Sequence, residues 1–309
     1  MKAFFIIVTS MCIAYNVQGQ GCSDAGFCTA GTIKPSANND SIKNSIGFSV
    51  NYSIGEQGTT IISPQLESAI KTSDKSMVQI KIPFTFINGD LGKISGIGDV
   101  ILSYNYELDS LWKYPIMIIL GTRIATGSSS LKSNNISLPM PYQPSLGTTD
   151  IILGAKMKLK NGFSISIGFQ NPIFNRNQNG FDSSAYKTLT KTQQINNEDN
   201  YFISSYLQRK GDIMLRLDKT FTFKKTLASI GLLPIYHLGN AKAKINKATT
   251  IELKNSKGLT LNINAGFVYK INNNLEFSAI AAVPLIVRDS RPDGLTRSLV
   301  LVPSIRYFF

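Results

Sequence analysis

The chain of 309 residues has one histidine and three cysteines, and beyond its first fifteen residues no apolar run is long enough to cross a bilayer as a helix. Scarcity of histidine and cysteine removes most metal sites, because two thiols in the mature chain, with His237 far off in sequence, are too few ligands. Acidic residues are also few, 19 against 32 lysines and arginines, for a formal net charge of +13. Such a balance raises nucleic acid as a partner. The lysines are scattered, however, and no helix-turn-helix, zinc-finger or RNA-binding signature accompanies them. Basic loops then fit lipid phosphates, or a pore biased toward anions. Charged residues make up 17% of a chain that is 43% hydrophobic. Membrane entry, on these absences, has to use strands.

What is present begins with Met1-Lys2, an apolar segment from Ala3 to Ala14, and small residues around Val17-Gln18-Gly19. This is the pattern of a secretory signal cleaved after residue 19. Its removal takes Cys12 away and leaves Cys22 and Cys28 in GCSDAGFCTAG, in an oxidising compartment where a disulfide between them is expected. A short closed loop adds modest stability, so its role is to hold the start of the mature chain in shape. A lipid on Cys22 is the competing reading, and it would want a Leu-like residue where Gly19 stands.

From Asn44 onward the residues alternate. Ile46, Phe48, Val50, Tyr52 and Ile54 take one face, and Ser45, Gly47, Ser49, Asn51 and Ser53 the other, a strand with lipid on one side and water on the other. Met77 to Phe86 and Val100 to Leu108 repeat the pattern. Hairpins follow, turning at Asn161-Gly162, Lys224-Lys225 and Asn272 to Asn274, and Asn-Gly between two alternating runs is a strong hairpin signal. Thr59 to Leu66 carries Pro64 and is expected to be short or bulged. Ile87 to Ile97 reads as a glycine-containing loop, and Thr126 to Thr148, Asn171 to Asn200 and Gly239 to Lys257 read as long polar linkers. Strand starts at Asn44, Thr59, Met77, Ile97, Tyr114, Thr149, Phe163, Asp212, Lys225, Leu259, Leu275 and Thr296 give twelve strands. Fourteen result if Asn171 to Asn200 and the run Tyr201 to Gln208 form a further pair.

The last stretch, LTRSLVLVPSIRYFF, puts Leu299, Leu301, Pro303, Ile305, Tyr307 and Phe309 on one face. It resembles the closing strand of bacterial outer-membrane β-barrels, with Tyr307 and Phe309 as the assembly signal. Such a strand needs a partner, since an open edge is not tolerated in lipid, and the strand from Asn44 is the natural one. The expected fold is therefore all-β, a transmembrane antiparallel up-and-down barrel. The chain divides into a signal peptide 1–19, a periplasmic segment 20–42 and a barrel 43–309. IKIPFTFINGDLGKISGIGDVILSYNYEL, a Pro-containing strand followed by G-x-G-D opening an alternating strand, resembles the outer-membrane family named for meta-pathway phenol degradation, itself similar to the fatty-acid and toluene transporter barrels. The resemblance implies a carrier of small, often apolar molecules in the outer membrane, partnered by outer-membrane lipid and the barrel-assembly machinery. It implies no cofactor.

Candidate site residues follow from the inward faces. Asp99, Asp150 and Asp212 recur at corresponding places in three hairpins, and Lys81, Lys156, Lys158, Arg216, Lys270 and Arg306 face the same interior. They form either a network that stiffens the wall or a ring that selects solutes. G-x-G-D at Gly96 to Asp99 lacks the further glycine and the helix of a nucleotide fingerprint. Pro172, Pro234 and Pro284 fall toward the outer part of ascending strands and each removes a ladder donor, marking a bulge, a strand end or a gap in the wall. A barrel enzyme needs a base with a partner in reach. His237 stands in PIYHLGNAK, with Gly239 where a barrel phospholipase has serine, so catalysis is the least favoured class, behind a transporter and a structural or secretion-accessory barrel.

Overall fold

The computed structural model describes residues 42–108, 114–182, 201–245 and 249–309. The signal 1–19, nearly all of the segment 20–42 with Cys22 and Cys28, and the turn at 109–113 lie outside those residues. The strands are β1 (Ser45–Ile54), β2 (Thr60–Ser73), β3 (Ser76–Gly89), β4 (Gly92–Ile97), β5 (Val100–Leu108), β6 (Ile116–Ile124), β7 (Lys132–Ser133), β8 (Ile136–Ser137), β9 (Thr148–Lys158), β10 (Phe163–Asn175), β11 (Asp212–Thr222), β12 (Thr226–His237), β13 (Ala241–Ile245), β14 (Thr249–Leu253), β15 (Gly258–Lys270), β16 (Leu275–Ile286) and β17 (Leu299–Phe308). Strands β7–β8 and β13–β14 are small hairpins apart from the main sheet. The rest close into an antiparallel barrel of twelve staves, with β4 and β5 sharing one stave.

Closure follows from alternation. β1 pairs β17 from Ser45↔Phe308 to Ile54↔Leu299, and β2 from Ser45↔Ala69 to Ile54↔Thr60. Neither terminal strand is left with an open edge. Ser49, Asn51 and Ser53 are buried inside, while Ile46 and Phe48 are exposed on the outer wall. Around the barrel the exposed outer row continues through Leu66, Ile82, Leu120, Ile167, Ile230, Leu285 and Ile305. That is the band a bilayer covers in a barrel of this kind. Short turns lie at one end, together with Phe309 and the start of β1. In outer-membrane barrels the short-turn end faces the periplasm, and it is called the inner end below. At the turn after β9, Asn161 and Gly162 both adopt left-handed backbone, with φ of 57° and 75°. A Cβ on Gly162 would lie 2.2 Å from the Thr220 carbonyl oxygen, so the turn admits only glycine there.

Four expectations need correction. β2 is a full 14-residue strand. Pro64 costs it a local gap, because the β2–β3 ladder steps from Ile62↔Phe86 to Gln65↔Pro83 without losing register. The glycine-containing loop at Ile87 to Ile97 is a hairpin instead: β3 runs on to Gly89, turns, and returns as β4 through Gly89↔Gly92 to Phe84↔Ile97. Ile87 and Leu91 are buried there, and their packing extends the strands beyond the band. The Tyr201 to Gln208 run supplies no stave among the described residues, and its pairing is an isolated bridge from Gln208 to Lys242. The long linkers, finally, are not simply polar.

The described parts of those linkers, which leave out 183–200 and 246–248, fold over the outer mouth. One buried cluster joins Ile61, Ile87 and Leu91 of the wall side to Leu138, Tyr142, Phe181 and Tyr201. A second joins Met140, Leu146, Leu207, Ala241, Ala243, Leu253 and Leu295. Tyr142 fixes the first. Its hydroxyl accepts from Leu91 N at 3.1 Å and lies 3.3 Å from the Tyr201 hydroxyl, which is itself 3.3 Å from Thr59 Oγ1. The phenol tip fills the space above Gly89, where a Cβ would come within 2.2 Å of it. Apolar side chains scattered through Asn- and Ser-rich connections thus make a packed outer closure, because burying them against one another removes them from water.

Candidate functional site

The functional element of a closed barrel is its interior. Inward residues of this one sort into three groups. Just beneath the outer closure, wall carboxylates meet arginines from wall and loops. Arg123 on β6 pairs with Asp150 on β9, donates to Thr148 Oγ1 at 3.2 Å and lies 3.8 Å from Asp99. Gln170 on β10 also donates to Asp150. Arg209 enters from the loop before β11 and reaches three carboxylates: Asp212 at 2.7 Å, Asp150 at 3.7 Å and Asp293 at 3.8 Å. Asp293, in the loop before β17, is held in turn by Arg288 at 2.9 Å. His237 contacts Asp212 through Nδ1.

These charges are buried, so each depends on its partners. Burial works against the Arg209 charge, yet Asp212, Asp150 and Asp293 outweigh it and hold the guanidinium more firmly protonated than usual. Burial likewise opposes ionisation of Asp293, and Arg288 and Arg209 overcome it, holding the carboxyl well below the usual range. One neighbour behaves oppositely. Glu56, in the short 3₁₀ turn between β1 and β2, is pushed up to about 7 by burial, against the pull of Arg291 at 3.1 Å.

The second group is apolar. Ile101, Ile119, Ile152, Met214, Leu233 and Ile235 face inward from β5, β6, β9, β11 and β12 and form one buried cluster on that side of the lumen. The third group lies toward the inner end. Arg216 is bonded to Asp218 at 2.7 Å and to Asn264 at 3.2 Å. Glu67 stands between Lys81 at 3.6 Å and Arg306 at 3.1 Å.

Among the described residues, two cavities lie along the β1, β2, β3 and β5 side. The outer one, about 80 Å³, lies between wall residues such as Gln65, Lys81, Pro83 and Asp99 and loop residues such as Met140, Pro144 and Leu295. The inner one, about 30 Å³, is lined by Ser45, Glu67, Gln79, Ser103 and Arg306 among others. Lys81 and Ile101 line both.

Of the residues singled out in the sequence, Asp99, Asp150 and Asp212 are brought into one network through Arg123 and Arg209. Lys156 on β9 and Arg216 on β11 lie deeper, aligned with Ser166 of β10 from its two sides. Lys158 is exposed and Lys270 half-buried at the inner end, both apart from the network. Pro172 opens a bulge on β10, where register shifts between Pro172 and Phe174. Pro284 sits at a second, where the β15–β16 register shifts between Leu261 and Asn262. At Pro234 the β11–β12 ladder steps from Met214↔Ile235 to Leu217↔Leu232, while Pro234 stays aligned with Leu261. Arg209, Arg288, Arg291, Asp293 and Glu56 were not singled out. For all of these but Glu56 the signal was the clumping of charge at strand ends in QRKGD and RDSRPDG, against the sparse charge elsewhere.

A barrel with this topology and an interior of paired charges belongs to the outer-membrane type of fold. No family model matches the chain, and no curated protein does. Among solved structures, the COG4313 outer membrane channel from Pseudomonas putida F1 matches with a TM-score of 0.60 at 14% identity, over 89% of this chain and 100% of that one. The NanC porin matches with a TM-score of 0.50 at 8% identity, over 85% and 98%. At such identities the likeness is one of fold.

Proposed function

We propose that this chain is a channel of the bacterial outer membrane, exported by its amino-terminal signal and inserted by the barrel-assembly machinery, which passes small molecules of apolar or aromatic character. The observation that carries the reading is a pair of lumen cavities that share Lys81 and Ile101 in their linings, one beneath the loops and one deeper along the same side of the barrel. A purely structural barrel has no need of cavities set one below the other along a single side. The apolar cluster across the lumen supports the solute class, because Ile101 belongs to the cluster and lines both cavities. Cavities of this size hold a few waters. Passage therefore requires the outer closure to move, and the charged network beneath it sets how readily it does. His237 serves that network through Asp212, which is shared with Arg209.

The test is uptake of a labelled small aromatic solute by cells with and without the protein, alongside single-channel recording of the purified barrel. Faster uptake and discrete conductance steps are expected. Equal uptake combined with a silent bilayer would leave a structural or secretion-accessory barrel as the better account.

A further inference from the structure

Lys219 stands in the lipid-facing row of β11, between Leu217 and Phe221, where a charge has no lumen partner to meet. Its ammonium lies 4.3 Å from the ring centre of Phe163 and 5.5 Å from that of Phe221, and it also donates to the Asn161 carbonyl. Two rings and a turn therefore hold a cation at the level where the wall meets the inner headgroups. Phe163, Phe221, Phe223, Phe277, Tyr307 and Phe309, exposed on the outside at this same end, mark that level as an aromatic girdle. The turns on either side add charge: Lys160 lies between β9 and β10, and Lys224 and Lys225 between β11 and β12, all three exposed. β10 and β11 are neighbours, paired from Phe163↔Lys219, and the turn bearing Lys160 packs on β11 at Thr220. Four lysines thus share one sector of the inner rim. The carboxylate nearest along these strands, Asp218, is buried inside and taken by Arg216.

We propose that this sector, Lys160, Lys219, Lys224 and Lys225 with the rings of Phe163 and Phe221, is a binding site for an anionic phospholipid of the inner leaflet. The phosphodiester lies among the lysines and the acyl chains lie along Phe163, Ile165 and Leu217. Lysines at a membrane surface act on anionic headgroups within a Debye length, so the attraction is strong at low salt and lost at high salt. The rings supply the apolar half of the contact, which fixes the lipid's depth. This rests on the outer-membrane reading above.

The experiment uses the full barrel purified in a neutral detergent, with phosphatidylglycerol added and retention read by native mass spectrometry. Phosphatidylcholine is the uncharged comparison and inorganic phosphate the competitor. Phosphatidylglycerol should be retained over phosphatidylcholine, and inorganic phosphate should not displace it. Lys160→Gln, Lys219→Gln, Lys224→Gln and Lys225→Gln together should weaken retention by about tenfold or more. Lys254→Gln with Lys257→Gln, in the outer loops, should change nothing. Should the fourfold variant not fold, Lys224→Gln with Lys225→Gln, both in a turn, should give a smaller loss in the same direction. Equal retention by wild type and variants overturns the site, as does displacement by inorganic phosphate. A chain that fails to enter vesicles of any composition instead overturns the membrane reading itself.

Discussion

Arg209 is the residue on which the outer closure turns. It comes from a loop, its side chain is 5% exposed, and three carboxylates from β9, β11 and the loop before β17 converge on it. Removing it leaves those acids buried with too little positive charge, and breaking such a group from one side costs about 3–5 kcal/mol. In Arg209→Met the loops should part from the wall. The expected outcome is a several-fold larger conductance and a lower temperature for the shift in gel mobility on heating, with the barrel still inserted. Arg209→Lys keeps the charge but not the fork that reaches three partners, so it should fall between. Wild-type conductance in Arg209→Met would show that the loops are held by their apolar clusters alone. At residue 209 only the charge clump with Asp212, three residues on, was legible, because Asp150 and Asp293 lie far away in sequence. The recurring aspartates were legible, since alternation placed them inward, but alternation does not say which arginine arrives from a loop.

At the scale of the strand, β17 closes the barrel onto β1, and its end is fastened to the inner rim. The Phe309 amide donates to the Asn44 carbonyl at 3.1 Å, and the Phe308 amide to that of Asn274 at 2.7 Å. Tyr307 and Phe309 stack with ring centres 6.4 Å apart on the outer wall. Deleting Phe309 removes a seam bond and the outermost ring of the girdle. The folded, heat-modifiable fraction in the membrane should fall, while the same deletion followed by refolding in detergent should be far less affected. Unchanged assembly in cells would mean that Phe309 plays no part in insertion. Strands were the most readable part of this chain, since a half-wet wall imposes a strict period of two. All twelve staves begin within a few residues of the places alternation marks. Two boundaries were misread: at β2 Pro64 interrupts the pattern while pairing with β1 carries the strand through, and at β3–β4 the glycines that suggested a loop form the turn of a hairpin.

The whole molecule couples the wall to a lid made of its own connections. That lid was hidden in the sequence because its apolar residues, Leu138, Tyr142, Phe181, Tyr201 and Leu207, have no regular spacing and meet only after the barrel brings their loops to one mouth. Charge crosses the same mouth. Glu56 on the first outer turn holds Arg291 at 3.1 Å, Arg291 donates to the Arg288 carbonyl at 2.7 Å, and Arg288 holds Asp293. Arg291, Asp293 and Arg297 are the charged groups that face Glu56. Because burial pushes Glu56 up to about 7 from an ordinary 4.5, the packed lid binds a proton that the parted lid releases. Closure therefore gains its full contribution below about pH 4.5 and loses it as the pH rises to about 7, a swing on the order of 3 kcal/mol. Conductance through the purified barrel should be low at pH 5 and higher at pH 8. Glu56→Gln stays neutral throughout, so its conductance should remain low at pH 8 and lose this dependence. A wild-type channel that opens on acidification instead would place the controlling proton on another group, and equal pH profiles for wild type and Glu56→Gln would remove Glu56 from the gate.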